Sequence, residues 1–359
     1  MISKRLLNNA GMLLFLLMAS TASNAQAVFP EKTWEEIPAA TQTASCLQAQ
    51  TKAQHLLEQQ ASTALLFIRD GRVLFSYGRT DVPGIVESAR KSILSMLYGK
   101  YVDNATIDLD KTLAQLGIDD VGGLLDSEKQ ARVRDLLTAR SGVFHAAANT
   151  GDDLSNAPAR GSQIPGSYFL YNNWDFNVAG TVLENATHKS VYQLFDEDIA
   201  QVLQLQDFQL SAQKKFGDTS KSRHLPYHFL LSTRDMARLG YLALHQGNWN
   251  GRQLIPADWM HKTTSMFTPS SAMHPATTAA RQIGYGYMWW VLEEPATSPL
   301  YQAYMAWGLH GQYILVIPKL NTVIAHQRKV PVDGKWDVPK VSRQAFFHLA
   351  STLAGACQQ

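Results

Sequence analysis

Three short patterns carry residue types capable of acyl-transfer chemistry. The first is Ser88-Ala89-Arg90-Lys91, a serine and a lysine three residues apart. A serine hydroxyl is a weak nucleophile until a neighbouring group takes or eases off its proton. Side chains at i and i+3 of a helix share a face, so Lys91 can do this if burial or a second cation lowers its own pKa. The same spacing recurs at Ser211 and Lys214, so spacing alone decides nothing. Ser88, however, follows the Pro83-Gly84 turn and opens a helical stretch whose N-terminus favours a developing alkoxide, whereas Ser211 lies in unpatterned polar sequence. An N-cap serine beside a solvated lysine is the plainer reading of the same residues.

The second pattern is Tyr171-Asn172-Asn173, after Pro165-Gly166. A phenol near Ser88 and Lys91 can relay a proton to a leaving group, and the Asn173 amide can orient Lys91 and a substrate carbonyl. A turn asparagine beside a half-buried tyrosine is the alternative. The third, Trp307-Gly308-Leu309-His310-Gly311-Gln312, joins two predicted strands, and its glycines allow a backbone N–H to approach an oxyanion. An ordinary hairpin turn reads the same way. There is no G-x-S-x-G elbow, Walker A loop or H-E-x-x-H. His224 and His228 flank Pro226, which prevents a helical metal pair, so neither metal nor organic cofactor is expected.

The elements that must position these residues follow from periodicity. A helix is expected over 44–60 and a hairpin with strands Ala64–Ile68 and Val73–Tyr77 around Asp70-Gly71. A helix from Ser88 to about Tyr101 opens a mostly helical segment reaching Gln253, broken by the polar loop 149–166. From Gly284 the period shortens, predicting strands at 287–292, 301–307, 312–317 and 322–326, then an amphipathic stretch over 339–353. Both chain ends then share one sheet, giving a sheet unit of about 28–82 and 283–359 interrupted by a helical unit of about 83–282. Tyr285, Tyr287, Trp289, Trp290 and Trp307 fall on strands flanking the cleft, as packing residues with one or two forming an apolar wall.

Composition bounds the function. The chain has 359 residues, 45% hydrophobic and 17% charged, long enough for a core with a cleft. The formal charge of +2 comes from Lys4 and Arg5; without them the chain is neutral and lacks the basic stripe that nucleic acid requires. Those two residues precede an apolar run, Ala10 to Ala19, and the Ala25-Gln26-Ala27 pattern of a signal-peptidase site, predicting an export signal over 1–27. The run is half a membrane span, so a periplasmic or secreted protein without stable membrane insertion is expected. In that compartment Cys46 and Cys357 can form a disulfide; two unrelated buried thiols are the alternative.

Taken in order, these patterns resemble those of the serine β-lactamase and penicillin-binding-protein superfamily, in its class C-like branch of esterases, D-aminopeptidases and 6-aminohexanoate-dimer hydrolases. Ser88 to Ser92 is similar to the first motif, Val133 to Thr138 with Ser141-Gly142 to the "RDLLTxxSG" segment, and Tyr171 to Asn173 to the second motif. Ser232 to Arg238 and Gly284 to Tyr287 resemble further family segments, and Gly308 to Gln312 falls where the third belongs. The resemblance implies an α/β (α+β) fold of the β-lactamase/transpeptidase type: an antiparallel sheet flanked by terminal helices, plus a helical subdomain. It also implies Ser88 as nucleophile, Lys91 as its activating partner, Tyr171 as proton shuttle and Asn173 as orienting residue. The backbone N–H groups of Ser88 and Gln312 would form the oxyanion hole, with Leu309, His310 and Gly311 along the substrate. Whether Lys91 or Tyr171 is the acylation base stays open.

One departure matters. Where many β-lactamases carry a lysine that holds the substrate carboxylate, this chain has Leu309. The implied activity is therefore hydrolysis of a small ester, amide or peptide through a Ser88 acyl-enzyme, with weak turnover of β-lactams. A D-Ala carboxypeptidase, a β-lactamase and a non-catalytic penicillin-binding-like sensor are the alternatives.

Overall fold

The computed structural model describes residues 27–330 and 339–358. The expected export signal lies outside them except for Ala27. Among the described residues no helix is long and apolar enough to cross a membrane.

A seven-stranded antiparallel sheet organises the chain. Its strands are β1 (Ala64–Arg69), β2 (Arg72–Gly78), β3 (Ile283–Tyr285), β4 (Trp290–Leu292), β5 (Tyr304–Gly308), β6 (Gln312–Ile317) and β7 (Thr322–Gln327), in the spatial order β3-β4-β5-β6-β7-β1-β2. The early hairpin therefore docks on the last strand, with Phe67 opposite Ile324. Asp70 and Gly71 take φ of 49° and 77°, the paired left-handed conformation of a two-residue hairpin turn.

The sheet is covered on both faces. Helices α1 (Ala44–Gln59), α2 (Arg90–Asp103), α3 (Asn173–Thr187), α4 (Thr233–Leu244) and α5 (Arg343–Ala356) are the long ones. Tyr313 of β6 stacks on Phe346 of α5, with ring centroids 4.2 Å apart, and α1 packs along α5. On the opposite face α4 lies over β6, β7 and β1, and Tyr304 Oη donates to the Ala243 carbonyl at 2.9 Å. Thus α4, from the middle of the chain, covers the sheet, while α2 and α3 pack together beside it.

Several boundaries differ from the sequence expectation for physical reasons. The apolar run 287–292 is not one strand: Gly286 N–H donates to the Trp289 carbonyl and Met288 has φ 63°, so a buried turn precedes β4. Apolar runs of this length read alike whether they extend or turn inside a core. Helix α2 begins at Arg90, because Glu87–Ala89 form a 3₁₀ turn, and α5 begins after Ser342, whose hydroxyl caps the Ala345 N–H. The central segment also contains short two-stranded pieces, such as Gly84–Ile85 paired with Leu230–Leu231.

Cys46 and Cys357 are disulfide-bonded, joining α1 to the end of α5 across 311 residues of sequence. A cross-link this long restricts the unfolded chain strongly, and loss of a native disulfide typically costs about 2–5 kcal/mol. The double variant Cys46→Ala/Cys357→Ala should melt at lower temperature by a corresponding amount while keeping activity at 25 °C. Neither α1 nor α5 contributes a lining residue to the cleft over Ser88, so calorimetry and an activity assay read the two effects separately.

Candidate active site

Ser88 sits where the sheet meets the helices. The pairing of Gly84–Ile85 with Leu230–Leu231 and the Val86 N–H to Phe229 carbonyl bond lead the chain into the 3₁₀ turn. Glu87 has φ 52°, a conformation that non-glycine residues rarely hold and that re-aims the next side chain. Gly308, ending β5, makes this approach possible: a Cβ there would lie 2.3 Å from the Val86 carbonyl oxygen. Ser88 is not an N-cap, since the turn shows no side-chain capping bond.

Lys91 is one turn further on and 1% exposed. Its Nζ lies 2.7 Å from Ser88 Oγ and 2.7 Å from Tyr171 Oη, forming one chain of three groups. The amine also faces the Tyr171 and Phe176 rings, 4.6 and 4.8 Å from their centroids. Burial, and then the adjacent Arg90 guanidinium, hold the Lys91 amine well below the ordinary lysine pKa, against a smaller opposing pull from Asp152 and Glu87. Burial pushes the Tyr171 phenol up to about 12. The two groups are thus driven apart, the amine towards its neutral form and the phenol towards staying protonated.

Arg90 is 2% exposed, bonds Asn177 Oδ1 at 3.1 Å and stacks over the Tyr227 ring. It makes no salt bridge among the described residues, so its charge acts on Lys91 without a carboxylate beside it.

Asn173 reaches the site but not in the expected manner. It is the first residue of α3, capped by Asn172, and its Nδ2 donates to the Thr150 carbonyl while its N–H donates to Asp152 Oδ2. No hydrogen bond joins it to Lys91 among the described residues; it pins the 150–152 loop instead, leaving Oδ1 buried without a partner.

A cleft of about 250 Å³ opens over Ser88, lined by Gly151, Asp152, Asp153, Tyr171, Arg281 and Leu309 with the Trp290 and Trp307 rings. Two of the five aromatics therefore form a wall, while Tyr285, Tyr287 and Trp289 are core residues. Leu309 is in place, 44% exposed. His310 and Gly311 are not lining residues. The hairpin turn sends the His310 ring inward, 3.5 Å from Glu87 Oε1, and the Gly311 carbonyl is bonded by His326 Nδ1 at 2.6 Å. Gln312 opens β6, which with β5 packs on the Ser88 turn, and its side chain bonds the Arg328 carbonyl. His224 and His228 diverge, the first bonded to Thr181 and the Asp119 carbonyl, the second stacked on Phe216.

Sequence reasoning missed Asp152 and Arg281. The loop carrying Asp152 was recognisable only as polar, and no local pattern marks Arg281.

The Beta-lactamase family profile matches residues 49–327, which span the sheet, the Ser88 turn and the second motif. The chain belongs to the Beta-lactamase family. Among solved structures, this beta-lactamase-family chain is similar to a Bacillus anthracis protein provisionally assigned as a 6-aminohexanoate-dimer hydrolase. The two share 18% identity and a TM-score of 0.60, covering 84% of this chain and 80% of that one. EstCE1, a hydrolase with promiscuous acyltransferase activity, aligns at 15% identity and TM-score 0.60 over 88% of this chain and 99% of its own. A class C β-lactamase mutant aligns at 11% identity and TM-score 0.60, over 87% and 98% respectively. The chain has the serine hydrolase fold of this family, with the mixed α/β architecture the sequence implied.

Proposed function

We propose that the protein is an exported serine hydrolase that cleaves a small ester, amide or peptide through a Ser88 acyl-enzyme. The observation that carries this reading is the Ser88–Lys91–Tyr171 hydrogen-bond chain, opening on a cleft of about 250 Å³. The neutral Lys91 amine takes the Ser88 proton as Oγ attacks the substrate carbonyl carbon. The resulting oxyanion faces the Ser88 and Gln312 backbone N–H groups, and its collapse breaks the scissile bond. The leaving alkoxide or amine takes a proton relayed through Tyr171, which Lys91 re-protonates, and water then hydrolyses the acyl group. With the phenol pushed up to about 12 and the amine driven down, Lys91 is the base and Tyr171 the relay. Hydrolase neighbours and a disulfide suited to an oxidising compartment support the reading.

Intact mass after treatment with a fluorophosphonate tests it, followed by a screen of p-nitrophenyl esters and short amides. A single adduct that Ser88→Ala removes is expected. Absence of adduct with every probe, together with no turnover, would favour a non-catalytic binder.

The buried cation gives a pH prediction. The rising limb of kcat/KM reports loss of the Lys91 proton, so it should lie well below the ordinary lysine range. Removing a like charge favours protonated Lys91, so Arg90→Gln should move that limb to higher pH and lower the rate at neutrality. An unmoved limb would show that Arg90 does not set the amine.

A further inference from the structure

The cleft holds a cation for which the acyl-transfer reading has no use. Arg281 lies on its wall, between the helix Ala276–Ala279 and β3. Its guanidinium rests on the Trp307 ring, 5.5 Å from the centroid, and no carboxylate pairs with it among the described residues. Asp153 lines the same cleft, yet the two side chains form no ion pair; the Asp153 carboxylate accepts instead from Thr278 Oγ1 at 2.7 Å. The backbone of Arg281 is also held in place. Its N–H donates to the Thr278 carbonyl, and its own carbonyl accepts from Arg343 Nη1. Arg343 in turn lies over the same Trp307 ring at 5.9 Å. Two guanidinium groups thus lie against one aromatic ring at the cleft, and among the described residues no carboxylate pairs with either.

The Arg281 charge acts against that of Arg343, and such repulsion is offset when an anion joins the two. A half-buried guanidinium resting on an aromatic ring matches a carboxylate fork to fork. The apolar surfaces of Trp290, Trp307 and Leu309 beside it lower the local dielectric and strengthen the pairing. Leu309 removed the cation from the third-motif position; Arg281 returns one to the cleft from a different element.

We propose that Arg281 determines specificity by receiving a carboxylate carried by the substrate, so that the cleft selects anionic esters or amides. The proposal rests on the hydrolase reading above. A charge-assisted bidentate pair of this kind is expected to be worth roughly 10- to 100-fold in kcat/KM.

Matched ester pairs test it, one with the carboxylate in the acyl part (mono-p-nitrophenyl adipate against its methyl ester). The other places it in the leaving group (3-carboxyphenyl acetate against 3-carbamoylphenyl acetate). The expected result is a preference of that size for the charged member of at least one pair, expressed mainly in KM. Arg281→Gln should collapse the charged-to-neutral ratio and Arg281→Lys should restore part of it. No preference in either pair, or a ratio that Arg281→Gln leaves unmoved, overturns the proposal while leaving the hydrolase reading intact. If no ester is cleaved, the hydrolase reading fails by itself, and calorimetry with adipate on the Ser88→Ala protein decides the proposal. Binding lost in Ser88→Ala/Arg281→Gln supports it; binding absent, or equal with and without Arg281, overturns it.

Discussion

Ser88→Ala should lower kcat/KM for every substrate by about 10⁴- to 10⁶-fold, with the melting temperature retained. The size of the effect follows from how few alternatives the site offers. Among the described residues Lys91 Nζ bonds Ser88 Oγ and Tyr171 Oη alone, and the phenol, pushed up to about 12, is a poor nucleophile at neutral pH. The nearest other hydroxyl on α2, Ser92, is buried and donates to the Met288 carbonyl at 2.7 Å, so it cannot substitute. On the proposed mechanism, removing Oγ removes the covalent route rather than one contact among several. Steady-state kinetics on the best ester found in the screen measures this, and a loss under about tenfold would mean that Ser88 is not the nucleophile.

Lys91→Met should cost activity on a similar scale, and it should also change how stability depends on pH. Lys91 is fully buried beside Arg90, so its folded-state pKa lies below its unfolded value. Between those two values the unfolded chain binds a proton that the folded chain does not. Wild-type stability therefore rises with pH through that window, by up to about 1.4 kcal/mol per pH unit from this group, and levels off above the ordinary lysine pKa near 10.5. The methionine variant lacks this contribution. Relative to wild type it should be most stable at neutral pH, and the advantage should shrink as pH approaches 10. Thermal melts of both proteins across pH 6–10 test this. Parallel curves would show that Lys91 is charged in the fold, which removes it as the base. Lower activity together with higher stability at neutral pH in Lys91→Met would be the signature of an activity-stability trade-off at this position.

Much of the scaffold was legible because its signals are local. Asp70-Gly71 favours left-handed backbone, and the short runs of strand-forming residues after Tyr301 pair as hairpins because short turns bring consecutive runs side by side. The run 287–292 misled, because a buried turn and a buried strand need the same apolar side chains. The site was legible in part. Ser88, Lys91 and Tyr171 converge as their motifs implied, whereas Asn173 spends its amide on Thr150, and His310 turns away toward Glu87.

By itself, the sequence determined which groups stand one helical turn apart and where most of the helices and strands lie, while it left open whether Cys46 and Cys357 meet. These are properties of neighbours along the chain, set by backbone geometry and side-chain periodicity. Only the tertiary structure decided that Lys91 is buried with Arg90 at its back and Tyr171 at its front, and that Arg281 faces the cleft where Leu309 has no charge. Burial, dielectric and charge pairing depend on distances through space between segments far apart in sequence, and those distances exist only once the sheet and the helices have packed.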